Sequence, residues 1–166
     1  MKRGTTGSDS IDRVVEEWGA VRPELDITPS AVVLRIAALA HAYGIEIGRF
    51  FAARGLTRAD FEVLATLRRT GGYLAQHEIV GRSKRSSGTV SFRIDKLERD
   101  GLVRRAPDAT DARSTIVSLT ARGRRIVDDL APAHLENERR LLSALSGGEQ
   151  RELAVLLRKL LAAREP

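Results

Sequence analysis

The sequence predicts a mainly α-helical protein with one small β-hairpin, which is an α+β fold class. Through most of the 166 residues, apolar side chains recur every three to four positions, as in helices that bury one face. The period changes to two over 102–106 and again over 114–119, which predicts two strands. The turn-rich segment PDATDAR separates these strands, so we expect a hairpin with an extended tip.

Two helices are predicted before the central part of the chain. Apolar residues recur at helical spacing from Ile11 to Trp18, which indicates a first helix. Thr28 and Pro29 then form a favourable helix start, because a hydroxyl caps free N–H groups and proline is tolerated in the first turn. The apolar stripe that follows predicts a long helix over 29–53.

Three further helices precede the hairpin. Thr57 and Asp60 have the spacing of a capping box and predict a helix over 58–70. A short helix is expected over 74–81, followed by a basic turn and a helix over 87–100. This last helix ends before a glycine, the residue that most often closes a helix in the left-handed conformation.

Two leucine-rich helices follow the hairpin. The first is predicted over 120–145, and Pro132 is expected to kink or reset it. Ser146 and Glu149 have the spacing of a second capping box and predict a final helix over 149–163.

The order short helix, turn, capped helix and hairpin is that of a winged helix-turn-helix. We therefore divide the chain into N-terminal helices (1–56), a winged helix-turn-helix (57–120) and C-terminal helices (121–166).

Charge is concentrated in this central block. The chain carries 28 Lys and Arg against 22 Asp and Glu, a net charge of +6, and all but four of its cations are arginines. Residues 82–125 hold twelve cations and five anions, so their net charge of +7 exceeds that of the whole chain. Such a patch suits duplex DNA, because cations that replace condensed counterions release them. The preference for arginine fits an anionic partner, but it is equally explained by a GC-rich genome.

Candidate DNA contacts lie at the start of the 87–100 helix. Its apolar residues Val90, Ile94 and Leu97 are expected to face inward, which leaves small hydroxyls and cations on its other faces. Small hydroxyls permit close approach to phosphates, and an arginine can reach a phosphate or a guanine edge. The alternative for any one of these cations is a solvated basic surface. The candidates are Lys84, Arg85, Ser86, Ser87, Thr89, Ser91 and Arg93.

Several function classes are disfavoured. The chain has no cysteine, which excludes thiol catalysis, thiol redox sensing and Cys-bound zinc. The three histidines, which we expect at the surface or at an interface, lack metal-ligand spacing, so neither a metal nor a cofactor is expected. LSGGEQ (145–150) resembles an ATPase signature but is explained by the capping box, and no phosphate-binding loop accompanies it. We expect no enzymatic activity, no membrane-spanning segment, no signal peptide and a cytoplasmic location.

The segment GTVSFRIDKLERDGLVRRAPDATDARSTIVSLTARG (88–123) resembles the signature region of MarR-family transcriptional regulators, and the resemblance extends over nearly the whole chain. It implies that Arg113 in the wing enters a DNA minor groove and that Asp111 stabilises the wing tip. It also implies a homodimer formed by the N- and C-terminal helices, which agrees with their leucine content. Two recognition helices would then bind a palindromic operator on double-stranded DNA, with half-sites ~34 Å apart. The basic stretch GRSKRSSG departs from relatives, which more often carry apolar residues there.

The extra N-terminal helix with Trp18, the run RPELDITPSAVV (22–33) and the segment FEVLATLRR (61–69) resemble the urate-responsive PecS/HucR branch of that family. The resemblance implies a ligand site formed by Trp18, Glu62, Arg69 and Arg105, with Glu62 in place of the usual aspartate. Seven residues separate Glu62 from Arg69, which puts them on one helix face about 10 Å apart. The expected effector is urate or a related anionic or phenolic compound. The alternative is that Trp18 anchors its helix and that the charged residues are ordinary surface groups.

These observations predict a homodimeric, ligand-responsive repressor that binds a pseudo-palindromic operator. Two alternatives remain open. One is an architectural or weakly specific DNA-binding protein without an effector, and the other is a small-molecule-binding protein whose wing no longer contacts DNA.

Overall fold

The computed structural model describes residues 7–83, 85–111 and 114–164. Within it the chain divides into two compact units between Glu46 and Ile47, inside its second helix.

The N-terminal unit contains α1 (Ser10–Val21) and most of α2 (Thr28–Ala52). Asp9 caps α1 and forms a capping box with Asp12. The guanidinium of Arg35 on α2 donates to both carboxylates, at 2.8 Å to Asp9 and 2.6 Å to Asp12. The hydrogen bond from Arg35 lowers the pKa of Asp9 below its usual value. One arginine thus ties the start of α1 to α2, and both predicted helices are confirmed.

The C-terminal unit begins with the last turns of α2 and then contains eight elements within its described residues. Thr57 and Ser146 cap their helices through the predicted capping boxes. The predicted helices and hairpin strands are confirmed with shifts of a few residues at their ends. The eight elements in chain order, of which β1 was not predicted, are α3 (Arg58–Arg69), β1 (Tyr73–Ala75), α4 (Gln76–Arg82), α5 (Ser87–Arg99), β2 (Val103–Pro107), β3 (Thr115–Leu119), α6 (Ala121–Leu141) and α7 (Gly147–Ala162).

The sheet has three antiparallel strands rather than the predicted two. The strand order is β1-β3-β2, with Leu74 opposite Val117 and Ala106 opposite Ile116. β1 has three residues, too few for the alternation that identifies a strand in sequence. Its addition to β3 fixes the base of the hairpin to the residues that immediately precede α4.

The core of this unit lies between α3, α5 and the sheet. Leu64 and Leu67 of α3, Ile94 and Leu97 of α5 and Val117 of β3 are fully buried. The predicted inward face of α5 is therefore confirmed, and α5 is fixed to the core along one stripe.

Gly123 allows α6 to begin directly against the start of β2. A Cβ atom at this position would lie 2.0 Å from the carbonyl oxygen of Leu102. Thr120 caps α6, and its hydroxyl donates to the carbonyl of Gly101 at 2.8 Å. These contacts fix α6 to the turn that joins α5 to the wing.

Of the two effects expected of Pro132, a reset of the helix is wrong, and a kink stays a prediction. α6 runs through Pro132 as one helix, and it ends at Leu141 rather than near 145. Proline removes one backbone hydrogen bond. Buried residues on both sides, Val127 and Asn137, hold the helix against its neighbours across this position.

Two helices carry long exposed apolar faces. On α2, Val32, Val33 and Leu39 are exposed, and α7 contains no buried residue although it carries five leucines. By length and composition α2 is long and apolar enough to cross a membrane, whereas no such segment was expected from the sequence. An apolar face covered by a second protein chain meets the same criterion, so this property is weak support for a membrane.

Candidate nucleic-acid interface and adjoining cavity

α5 presents a polar N-terminal half to solvent. The hydroxyl of Ser86 caps the helix by accepting from the backbone N–H of Thr89 at 3.4 Å, and the two hydroxyls lie 2.9 Å apart. Arg85, Ser86 and Ser87 are exposed, whereas Thr89 and Ser91 are half-buried. The predicted contacts other than Lys84, Arg93 and Arg113 therefore gather at one helix end. Lys84 lies outside the described residues.

Arg93 makes its contacts within the protein. Its guanidinium donates to Thr57 at 3.3 Å and to Asp60 at 3.4 Å, and its side chain is 26% exposed. Its Nε atom is buried and has no hydrogen-bond partner. The proposed DNA contact of Arg93 stays a prediction, and the structure gives this residue a second role in joining α5 to α3.

Asp60 is a fully buried carboxylate at the centre of this junction. It accepts from the backbone N–H of Thr57 at 2.9 Å, and Lys96 lies 3.3 Å away. Burial acts to raise the pKa of Asp60, but hydrogen bonds from Thr57 and the charge of Lys96 outweigh it, so the pKa lies below its usual value. The sequence identified Asp60 as a helix cap but did not indicate its pairing with α5.

The wing is fixed at its base and at its described tip residues. At the tip, the backbone N–H of Asp108 donates to the carbonyl of Ser114 at 3.0 Å, and that of Ser114 donates to the carbonyl of Asp111 at 2.8 Å. The backbone of Asp111 thus takes part in the turn, while the predicted role of its carboxylate stays a prediction. Arg113 lies outside the described residues.

Arg105 joins the wing to α5. Its guanidinium pairs with Asp95 at 2.6 Å and with Glu98 at 2.8 Å, and it donates to Gln76 at 3.2 Å. The backbone N–H of Arg105 also donates to Glu98 at 2.8 Å. These bonds hold β2, the first strand of the wing, against α5.

A cavity of about 680 Å³ lies beside α3, α4 and the start of α5. Five arginines line it, against one carboxylate, that of Glu62. Glu62 pairs with Arg58 at 2.9 Å and lies 4.0 Å from Arg85. The excess of positive charge favours an anionic occupant. The lining arginines are Arg58, Arg69, Arg82, Arg85 and Arg93.

The cavity contains two of the four predicted ligand residues. Glu62 and Arg69 both line it, whereas Arg105 does not. Trp18 lies on α1 in the N-terminal unit, where it is 48% exposed. A ligand site that combines all four residues stays a prediction. The lining cations that the resemblance did not assign to the ligand site are Arg58, Arg82, Arg85 and Arg93.

His134 forms one end of the cavity. Its ring packs against Phe50, Phe51 and Phe61, with ring centroids 5.0–5.7 Å apart. Its side chain is 17% exposed, so it is not a freely exposed surface histidine, and the alternative of an interface histidine stays a prediction. Its position inside an apolar cluster has no signal in the sequence, because residue spacing on α6 does not show which helix packs against it.

A smaller groove of about 360 Å³ lies beside the wing and includes two residues that sequence reasoning missed. Gln76 and His77, from the first turn of α4, line it together with Ser87 and Ser114. The hydroxyl of Ser114 is buried without a hydrogen-bond partner. In the sequence, Gln76 and His77 could have been identified by their position in the first turn of α4, the helix that precedes α5.

Across the described residues, His, Asp and Glu side chains form no cluster that could hold a metal ion.

Comparison with known proteins agrees with this architecture. Residues 56–115 match the model of the MarR family. The chain is 32% identical over 149 residues to the HTH-type transcriptional regulator PecS of Dickeya dadantii, covering 89% of this chain and 90% of that protein. AbsC, a MarR-family regulator from Streptomyces coelicolor, shares the fold with a TM-score of 0.77 at 23% identity, over 84% of this chain and 95% of AbsC. The MepR–DNA complex of S. aureus matches with a TM-score of 0.69 at 27% identity, over 80% of this chain and 96% of MepR. The chain therefore belongs to the MarR family of transcriptional regulators.

Proposed function

We propose that this chain is a cytoplasmic, homodimeric repressor that binds a pseudo-palindromic DNA operator. Binding of a small anionic ligand either lowers or raises its affinity for this operator. One observation carries the proposal. α5 buries a single apolar stripe and exposes a polar N-terminal half, inside a segment whose net charge is +7. A similar chain, MepR, has been crystallised with DNA, which supports the same mode of docking here.

Sequence-specific DNA binding is tested by selection. The purified protein selects duplexes from a random 30-base-pair library, and binding of the enriched duplex is compared with binding of random DNA at physiological salt. A specific regulator prefers its site by at least ~10³, whereas an architectural DNA-binding protein shows no such preference. Failure to enrich any duplex would refute operator recognition.

Matched arginine variants locate the interface. Arg85→Ala, at the exposed start of α5, should weaken binding and reduce the salt slope by about one ion. Arg113→Ala should weaken binding through loss of the predicted wing contact. Arg151→Ala, an exposed cation on α7, serves as the control and should leave DNA affinity unchanged. Equal losses in all three variants would indicate a general charge effect rather than a defined interface.

Dimerisation is supported by the uncovered apolar faces of α2 and α7. A second copy would remove these faces from water, and each Å² of apolar surface so buried contributes about 25 cal/mol. Leu160→Glu places a charge on the exposed face of α7 and should give monomers in light scattering after size exclusion. Lys159→Glu, the adjacent exposed residue, is the control and should leave the mass unchanged. A monomeric wild-type protein would refute the homodimer.

The ligand site is assigned to the arginine-lined cavity. Trp18 is the sole tryptophan, so its fluorescence reports events at α1, and urate is the first probe to test. Arg69→Ala should weaken urate binding, because Arg69 lines the cavity. Arg105→Ala distinguishes two versions of the site. It should leave urate affinity unchanged if the cavity alone binds, and should weaken it if the four predicted residues act together.

A further inference from the structure

A large apolar side chain is exposed on the recognition helix. Phe92 is 59% exposed, whereas Val90, Ile94 and Leu97 on the same helix are almost fully buried. Among described residues 57–120, the other large hydrophobic side chain with comparable exposure is Tyr73, on β1. The guanidinium carbon of Arg93 lies 6.0 Å from the centroid of this ring, and the rest of its apolar surface is open to a binding partner.

Helix geometry places Phe92 at the centre of the outward face. At 3.6 residues per turn, Phe92 is rotated by roughly 200° from the buried Val90. Gly88 lies one turn earlier on the same outward face, and an added Cβ there would meet nothing within 4 Å. Because Gly88 carries no side chain, the ring of Phe92 is the most prominent group on the N-terminal half of α5.

The chemistry of the surroundings favours DNA as the partner. Exposed Ser87 and Arg85 and half-buried Ser91 lie at the same helix end, and they suit phosphate and base contacts. A phenyl ring has no hydrogen-bonding group, so it cannot read the donors and acceptors of the major groove. Thymine alone offers an apolar group there, its C5-methyl, and phenylalanine is among the side chains that contact it.

We propose that Phe92 is a specificity-determining residue that packs against the C5-methyl group of a thymine in each operator half-site. This inference rests on the proposed function, because it requires α5 to dock in the major groove. It goes further by assigning one base identity to one side chain.

The test removes the methyl group from the DNA and the ring from the protein. In the duplex selected by the wild-type protein, each thymine is replaced in turn by deoxyuridine, which keeps base pairing and lacks the methyl group. Binding is measured by fluorescence anisotropy for wild type, Phe92→Ala and Phe92→Leu. Loss of one buried methyl contact corresponds to about a fourfold loss of affinity.

The expected result is a coupling between one DNA position and Phe92. Deoxyuridine at one symmetry-related position per half-site should weaken wild-type binding about fourfold and should not weaken Phe92→Ala binding further. Phe92→Leu keeps an apolar side chain and should retain part of the sensitivity. Tyr73→Ala, which removes an exposed aromatic ring outside α5, is the control and should retain all of it.

Other outcomes overturn the inference in distinguishable ways. If a duplex is enriched but no deoxyuridine position separates wild type from Phe92→Ala, operator recognition stands and the assignment to Phe92 fails. If deoxyuridine has no effect and Phe92→Ala instead loses a protein partner, the exposed ring belongs to a protein interface. If no duplex is enriched, the proposed function fails and this inference fails with it.

Discussion

Replacement of Asp60 by asparagine should destabilise the protein, although it changes a single side-chain atom. Asp60 is fully buried and faces two cations from α5, Arg93 at 3.4 Å and Lys96 at 3.3 Å. Asparagine keeps an oxygen that can accept from the backbone of Thr57, but it removes the negative charge. Arg93 and Lys96 would then lie beside a neutral group while they are themselves about three-quarters buried.

The magnitude follows from the bonds that are lost. A hydrogen bond to a charged group contributes about 1.5–3 kcal/mol. The two cations regain part of their hydration because each is partly exposed, so we expect a loss of about 2 kcal/mol for Asp60→Asn. Asp60→Ala also removes the capping box and should cost about 1 kcal/mol more. The free energy of unfolding is measured in urea at one fixed protein concentration, because a dimer is more stable at higher concentration.

The matched control is Asp100→Asn. Asp100 pairs with the same Lys96 at 3.0 Å, but its side chain is 45% exposed. Such a surface pair contributes less than about 1 kcal/mol, so this variant should stay close to wild type. Equal stability of Asp60→Asn and Asp100→Asn would show that burial of Asp60 does not strengthen its interaction with α5.

The advantage of wild type over Asp60→Asn should also depend on pH. The pKa of Asp60 is lower in the folded protein than in the unfolded chain, so its ionised form stabilises the fold. This contribution is fully present above the unfolded value of about 3.9 and is lost as the pH falls through the lower folded value. Urea unfolding at pH 7, 5 and 3 should therefore show a constant difference between wild type and Asp60→Asn at the first two values and a smaller one at the third.

Two further substitutions test the packing of the helices. Gly123→Ala puts a methyl group 2.0 Å from the carbonyl oxygen of Leu102 and should cost about 2–3 kcal/mol in urea unfolding. Gly81→Ala, where an added Cβ meets nothing within 4 Å, should be neutral or stabilising by up to ~1 kcal/mol, and equal losses in both variants would contradict the packing argument. Arg35→Ala should leave the global unfolding midpoint unchanged and increase amide hydrogen exchange in α1, because it removes the bonds from α2 to the start of α1. Unchanged exchange in α1 would show that Arg35 does not hold that helix.

Local signals in the sequence were sufficient for most elements of the fold. The hydroxyl of Thr57 with an acidic residue three positions later identified the start of α3, since both partners of a capping box lie within one turn. The period-two alternation located β2 and β3, because this pattern also involves only neighbouring residues. Short elements lack such a signal, and so β1 was missed. The reset expected at Pro132 did not occur, because the lost backbone hydrogen bond is offset by packing against residues distant in sequence.

The candidate site was predicted less completely, because its contacts join distant parts of the chain. Arg93 and Arg105 were assigned to DNA and to ligand from their sequence positions, yet both pair with carboxylates of the protein. Asp60 lies 33 residues before Arg93, a separation at which helical spacing carries no information. The exposure of Phe92, in contrast, follows from its position opposite the apolar stripe of α5.

Arg93 supplies a physical connection between ligand and DNA in the proposed regulator. It lines the arginine-rich cavity, belongs to the recognition helix and pairs with the buried Asp60. An anion bound in the cavity would compete with Asp60 for this guanidinium and would act directly on α5, the helix that we propose to dock in the major groove. Such a ligand changes DNA affinity only if it binds the DNA-docked and free arrangements of α5 unequally. Arg93 lies both in the cavity and at the α3–α5 junction. A bound anion can therefore have different affinities for the two arrangements of α5 without contacting Trp18 or Arg105.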